Sequence, residues 1–261
     1  MKHVTVVDGH PDRSRTRLNH ALADRYVSAA RAAGLEVRRI GLAEIEFPVL
    51  RSANDFFGAL APESLRQAQS DIAWADHIVF FYPLWHGNMP ALFKAFVEQI
   101  FRPGFAMGDG GKLRFPKQLL KGKSARVVVT MGMPAFIYRT YFGGYGVKSF
   151  ERGVLGLCGI SPVTQTLLGG AGADCELRAS KWLDLMAQLA ERDAHPEVWQ
   201  RREMLRRTLR ALALLGGCYA AYVLAASRTN AWLKSNDRAA EVKSVKEDVA
   251  AGTPRGTAVR E

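Results

Sequence analysis

The stretch from Asp76 to Phe101, DHIVFFYPLWHGNMPALFKAFVEQIF, constrains what this chain can fold into more than any other. Ile78 to Tyr82 is an unbroken apolar run of β-branched and aromatic residues, as needed by a strand covered on both faces of a parallel sheet. Pro83 lacks a backbone donor and closes that strand. Leu84-Trp85-His86-Gly87-Asn88 forms a short loop, and Met89-Pro90 opens a helix in which Leu92, Phe93, Phe96, Ile100 and Phe101 recur at helical spacing. A strand–loop–helix unit of this kind puts its loop at the carboxyl end of a sheet, where open α/β folds bind ligands. Trp85 and His86 then either cap a hydrophobic core or wall a flat slot for a planar ring.

The chain before and after this unit repeats the alternation of strand and helix. Val4 to Asp8 reads as a strand, Arg17 to Ala33 as a helix with Leu18, Leu22, Tyr26 and Ala29 on one face, and Leu35 to Ile40 as a second strand. The intervening loop, Gly9-His10-Pro11-Asp12-Arg13-Ser14-Arg15-Thr16-Arg17, is rich in hydroxyls and basic residues and ends at a helix N-terminus, a place suited to a phosphate. Neither GxGxxG nor GxxxxGK[ST] is present, so this is not a Rossmann dinucleotide turn or a P-loop. Residues 41–61 read as a loop with a short helical piece, and a helix over 63–75 leads into the Ile78–Tyr82 strand, around which the chain is organised. Residues 102–120 read as irregular. A fourth strand spans 125–130, a Gly/Tyr-rich loop runs to Val147, a helix covers 148–158, a fifth strand 161–167 and a last amphipathic helix 174–192. The pattern predicts an α/β fold, a doubly wound sheet of five parallel strands with right-handed crossovers.

Several short segments carry a resemblance to a known family. They are Tyr82-Pro83-Leu84-Trp85 with Met89-Pro90-Ala91 and Lys94, Gly9-His10 with Asn19-His20-Ala21, Phe47-Pro48-Val49-Leu50, Arg102 to Met107, Leu157 to Ile160, and Tyr138 placed eight residues after Thr130. Together they resemble the flavodoxin-like NAD(P)H:quinone oxidoreductases, a family that includes quinone reductase and the ancillary subunits of glutathione-gated potassium efflux systems. The resemblance covers residues 1–193. It implies a flavodoxin-like fold, a noncovalent flavin (FAD or FMN), NAD(P)H as co-substrate, a quinone-like two-electron acceptor and a homodimer that closes the cleft. In this likeness His10, Ser14, Thr16, Arg17, Leu18 and Asn19 hold the cofactor phosphate, with Ser14 and Thr16 competing for the hydroxyl contact. Pro83, Leu84, Trp85 and His86 flank the ring, Thr130 and Gly132 approach its polar edge, and Tyr138 is the catalytic candidate that donates to charge developing on the ring. The chain departs from the family pattern at His86, where a second aromatic is usual, at Arg17, where Ser is common, and at Met131 and Met133. It also lacks a His between Tyr138 and Asp193. The alternative implied by the likeness is a flavin-binding regulatory subunit of a membrane transporter.

Charge separates this body from the C-terminal residues. Of the net +11, residues 201–261 carry +6, with 12 Lys and Arg against 6 Asp and Glu, which leaves too little on the first 200 residues for a nucleic-acid binder. Cys158, Cys175 and Cys218 are widely spaced with no CxxC, so the sequence predicts neither a disulfide framework nor a metal site, and fits a reducing, cytoplasmic setting. Residues 194–228 read as a basic and apolar helical extension. Five arginines between 201 and 210 precede 16 uncharged residues, Ala211 to Ala226, just short of the ~17–25 that span a bilayer. This extension is expected to attach the protein to the cytoplasmic face of the inner membrane or to a membrane partner, by spanning or lying on the surface, with packing in the dimer as the alternative. Residues 229–261 read as a charged, partly disordered tail.

Overall fold

The structure, a computed structural model, describes residues 3–58, 60–108, 116–171 and 175–195. All lie in the first of the two units into which the chain divides, Met1–Gln200 and Arg201–Glu261. The extension over 194–228 and the tail over 229–261 lie outside the described residues, apart from Ala194 and His195. Among the described residues no helix is long and apolar enough to cross a membrane.

Five parallel strands form the sheet: β1 (His3–Asp8), β2 (Glu36–Gly41), β3 (His77–Pro83), β6 (Ser124–Met131) and β7 (Val163–Gly169). The remaining two, β4 (Met107–Gly108) and β5 (Lys117–Gln118), make a small antiparallel ladder within the segment expected to be irregular. The order β2-β1-β3-β6-β7 places the organising strand at the centre, and every residue of β3 is buried. Its side chains divide by parity, as a period of two dictates. Ile78, Phe80 and Tyr82 pack with Phe93, Phe96 and Phe150 on one side. Val79 and Phe81 pack with Leu22, Tyr26, Met186 and Leu189 on the other.

The second of these layers comes from α1 (Leu18–Ala32) and α7 (Cys175–Ala194), and the first from α3 (Glu63–Trp74), α4 (Ala91–Ile100) and a π-helical stretch, Ser149–Gly156. Between β2 and α3 lie a single 3-10 turn, Leu42–Glu44, and the short α2 (Ala53–Phe57). Pro90 stands just ahead of α4 as its cap rather than within it, and Leu92 is 37% exposed, outside the apolar face assigned to it. The expected Gly/Tyr-rich loop contains two short helices, α5 (Ala135–Thr140) and α6 (Tyr145–Lys148). The fifth strand begins two residues later than its apolar pattern suggests, because Pro162 has no N–H to give the ladder.

At the amino end of the sheet a buried ion pair ties the last helix to the core. Arg126 of β6 donates to both carboxylate oxygens of Asp193, at 2.7 and 2.6 Å, and the Tyr26 hydroxyl donates to the same group at 2.9 Å. His77 stands 3.3 Å from it. Burial opposes ionisation of Asp193, but Arg126 and His77 outweigh it and hold the carboxyl well below the usual carboxylate range. A depressed carboxylate contributes stability that is fully present above its unfolded value and is lost as the pH falls. Asp193→Asn, which leaves Arg126 buried and unpaired, is therefore expected to cost about 3–5 kcal/mol at neutral pH. Urea unfolding of the full chain checks this, and a loss under about 1 kcal/mol, the scale of a surface pair, would show that the pair does not anchor α7.

Candidate active site

Parallel register brings the carboxyl ends of the central strands level, with Asp8 beside Phe81 and Pro83 beside Thr130. The chain runs from β1 to β2 on one side and then to β3 on the other, so the crevice between β1 and β3 is the switch point where such sheets bind ligands. The loops leaving β1, β3 and β6 enclose a cleft there of about 650 Å³. Gly9 allows the close approach this requires, since a Cβ would lie 2.7 Å from the Phe93 ring and 2.9 Å from the Phe81 carbonyl oxygen.

His10, Thr16, Arg17, Leu18, Asn19, Pro83, Leu84, Trp85, Thr130 and Gly132 all line this cleft. Ser14 does not. Its hydroxyl lies 2.8 Å from that of Thr16, so of the two competing hydroxyls Thr16 is the one at the wall. Met131, Ala21, Ala171 and Ala179 also line the cleft and were not anticipated. The run Gly169-Gly170-Ala171 at the end of β7 was the available signal, because small residues let the β7 end close on β6, where the Ala171 amide donates to the Met131 carbonyl at 2.9 Å.

One end of the cleft is rich in hydrogen-bond donors. Helix α1 has no acidic residue in its first turn and no side-chain cap, and the amides of Leu18 and Asn19 at its start have no acceptor within the helix. The Asn19 side chain is buried. Its oxygen accepts from the Thr130 hydroxyl at 2.6 Å, which leaves Nδ2 as a donor with no hydrogen-bond partner. Asp12 organises the loop in front of it, accepting from the Ser14 amide at 2.8 Å and from Arg17 Nε at 2.6 Å, contacts that hold its carboxyl below the usual range. His10 accepts the Asp12 amide at Nδ1, 3.1 Å away, so the proton of the neutral ring sits on Nε2. Burial, then the neighbouring His20, push the His10 pKa down and favour that neutral, donating form.

The other end is apolar and aromatic. Trp85, 48% exposed, meets the edge of the His10 ring at 6.3 Å between centroids. Trp85 and Asn88 exchange backbone hydrogen bonds of 2.8 and 2.9 Å, closing a two-residue turn in which His86 has φ +48° and Gly87 φ +77°. Positive φ at both central residues is the geometry of a tight hairpin turn. That turn carries His86 out to solvent, so His86 does not flank the cleft as its place in the motif implied.

Tyr138 differs more from the role implied by the family likeness. It is buried outside the cleft lining, its hydroxyl donating to the Gly87 carbonyl and accepting from the Val147 amide, both at 3.2 Å. Gly146 presses on the same carbonyl, since a Cβ there would stand 2.4 Å from it. Burial pushes the Tyr138 pKa up against the lowering effect of its backbone contacts. Geometrically, then, Tyr138 clamps the Trp85 turn to α6. The Thr130 hydroxyl is likewise committed to Asn19 and offers no free donor to a ring edge.

The strand order and the cleft at its switch point are those of a flavodoxin-like fold. The chain belongs to the family described as having a flavodoxin-like fold, whose match covers residues 2–190. An uncharacterized NAD(P)H oxidoreductase of Haemophilus influenzae is 29% identical over 199 residues, covering 73% of this chain and 92% of that protein. An FMN-dependent NADH:quinone oxidoreductase of Ruegeria pomeroyi is 32% identical over 133 residues, 44% of this chain and 63% of the relative. Among solved structures, an NAD(P)H:quinone oxidoreductase from Methanothermobacter marburgensis shares the fold with a TM-score of 0.59 at 21% identity, covering 74% of this chain and 98% of that one.

The clamp geometry separates two roles for Tyr138. Tyr138→Phe is expected to lose about 1–2 kcal/mol of stability from the two broken hydrogen bonds while ligand reduction slows only a few-fold. A donor to developing charge would instead lose about 10²-fold or more. Stopped-flow reduction beside thermal unfolding checks this, and a rate loss of that size with unchanged stability would restore the catalytic role.

Proposed function

We propose that this protein is a flavin-dependent NAD(P)H:quinone oxidoreductase that holds its flavin noncovalently in the β1–β3–β6 cleft. The observation that carries the reading is the joining, in one cleft, of an uncapped helix N-terminus with an unpartnered buried amide at one end and an indole wall at the other. Those residues fit a phosphate-bearing flavin. The bound flavin supplies the two-electron chemistry, accepting hydride from NAD(P)H and passing electrons to a quinone-like acceptor.

The protein's share is binding and orientation. The Leu18 and Asn19 amides, Asn19 Nδ2 and Thr16 hold the phosphate, with neutral His10 donating from Nε2. Trp85 stacks beside the ring, and Pro83 and Leu84 give it a water-excluding floor. FMN with NADH is the pairing named for the Ruegeria relative, and the single anion cradle of the described cleft agrees with one phosphate. Residues 1–193 form the catalytic domain. A second copy closes the cleft, consistent with large apolar side chains left exposed, among them Phe57, Leu60 and Tyr141. The arginines over 201–210, followed by the uncharged run over 211–226, bring the protein to the cytoplasmic membrane face, near lipid-soluble quinones, a placement supported by sequence pattern alone.

Purified protein is expected to carry a chromophore whose mass is that of FMN, and to turn over NADH with a soluble quinone at about 10 per second, the ordinary enzyme median. Trp85→Ala should weaken flavin binding by about 1–2 kcal/mol in a titration of apoprotein. Flavin binding with no turnover would favour a regulatory subunit, and absence of flavin binding would end the reading.

A further inference from the structure

We propose that His20, buried beneath the β1–α1 loop and outside the cleft, is the positioning residue that lets the site discriminate a phosphorylated flavin from the same ring without phosphate. The proposal rests on the flavin reading above and assigns a role to a residue that makes no contact with the ligand cleft itself.

His20 follows Asn19 in the first turn of α1 and is buried. Both of its ring nitrogens face oxygen. Nε2 lies 2.8 Å from the backbone carbonyl of Asp12, and Nδ1 lies 2.6 Å from Oδ2 of Asp8, the last residue of β1. A carbonyl oxygen only accepts, so Nε2 donates. The Asp8 oxygen also receives Arg39 of β2 at 2.6 Å, so it too serves as an acceptor. A doubly protonated ring satisfies both contacts, whereas a singly protonated one satisfies only one. Arg39 continues across to Asp24 of α1 at 2.5 Å. The charged and titratable groups about His20 are thus Asp8 on β1, Arg39 on β2, Asp24 on α1, and His10, Asp12 and Arg17 in the loop.

The consequence falls on Asp12. Its N–H donates to His10 and its carbonyl accepts from His20, so one residue of the loop is gripped at both ends by two imidazoles whose centroids lie 5.2 Å apart. The Asp12 carboxylate in turn sets the Ser14 amide and Arg17, and Ser14 meets Thr16. Thr16 and Arg17 line the cleft. His20 therefore fixes the loop that faces the anion without touching the wall at Pro83, Leu84 and Trp85 that faces the ring. Loss of its contact with Asp12 loosens the phosphate end and spares the ring end.

The readout is the ratio of dissociation constants for riboflavin and FMN, by fluorescence titration of full-length apoprotein. His20→Asn keeps an amide near Asp8 but is too short to reach the Asp12 carbonyl. It is expected to cut the ratio about tenfold, the scale of one charged hydrogen bond, with riboflavin affinity unchanged. His20→Gln carries its amide to the Nε2 position and is expected to keep the ratio within about threefold of wild type. An unchanged ratio in His20→Asn, or an equal fall in both affinities, would overturn the proposal, since a merely structural role moves both flavins together. If His20→Asn does not fold, His20→Ala takes its place, with the same fall in the ratio expected and the same two outcomes overturning the proposal. Wild-type protein that binds neither flavin sinks the flavin reading instead, and wild type that binds both equally leaves His20 nothing to set and overturns this inference only.

Discussion

A strand covered on both faces offers no side chain to water, and β3 is such a strand along its whole length. Its burial requires a helical layer on each side, which antiparallel hairpins do not supply and βα crossovers do. It also requires that polar groups be kept off the middle of the sheet. The two ends remain available for chemistry, and the parallel direction of the strands makes those ends unlike: backbone amides and helix N-termini gather at the carboxyl end.

The described residues use the two ends accordingly. The amino end buries a closed charge cluster, Asp193 with Arg126, Tyr26 and His77, in which the carboxylate is matched by donors from three elements. Such a cluster contributes little net energy beyond a hydrophobic substitute but is costly to break, so it fixes where α7 sits. The carboxyl end also buries a carboxylate, Asp8, matched by His20 and Arg39. The difference is that this second cluster reaches into a loop. His20 extends to Asp12, and the network stops short of the buried Asn19 amide, leaving it unmatched.

Much of this arrangement is legible in the sequence, for reasons that mark where reading stops. The five strands announce themselves because apolar runs between turn residues survive any tertiary detail, and the cleft walls follow because loops after parallel strands must share one edge. Orientation within a loop is not local in the same way. His86 sits in an aromatic-looking motif, yet its positive φ in a two-residue turn sends it to solvent, and only the hydrogen bonds between Trp85 and Asn88 reveal that. Tyr138 keeps the spacing of a catalytic residue, but the Val147 amide and the Gly87 carbonyl, distant from it in sequence, decide where its hydroxyl points. The helices α5 and α6 hide among Gly143, Gly144 and Gly146, whose low helix propensity outweighs the flanking signal. His20 stands at the variable place of the Asn19-His20-Ala21 segment, and a histidine there becomes significant only when Asp8 and Asp12 are folded against it.

An unmatched buried donor such as Asn19 Nδ2 costs a folded protein about 1–3 kcal/mol relative to a matched one. The fold tolerates it although the Thr130 hydroxyl lies within reach and binds the amide oxygen instead. With its oxygen held by Thr130, the side chain has only its donor left to offer, near helix amides that are donors too. Donors gathered at a helix start with no acceptor among them are the kind of set that an anion would complete. On the proposed reading the cost of that arrangement is returned when the phosphate binds, and by linkage the folded state is stabilised by the same interaction that confers affinity. In that proposal ligand recognition and local stability at this end of the sheet are one quantity.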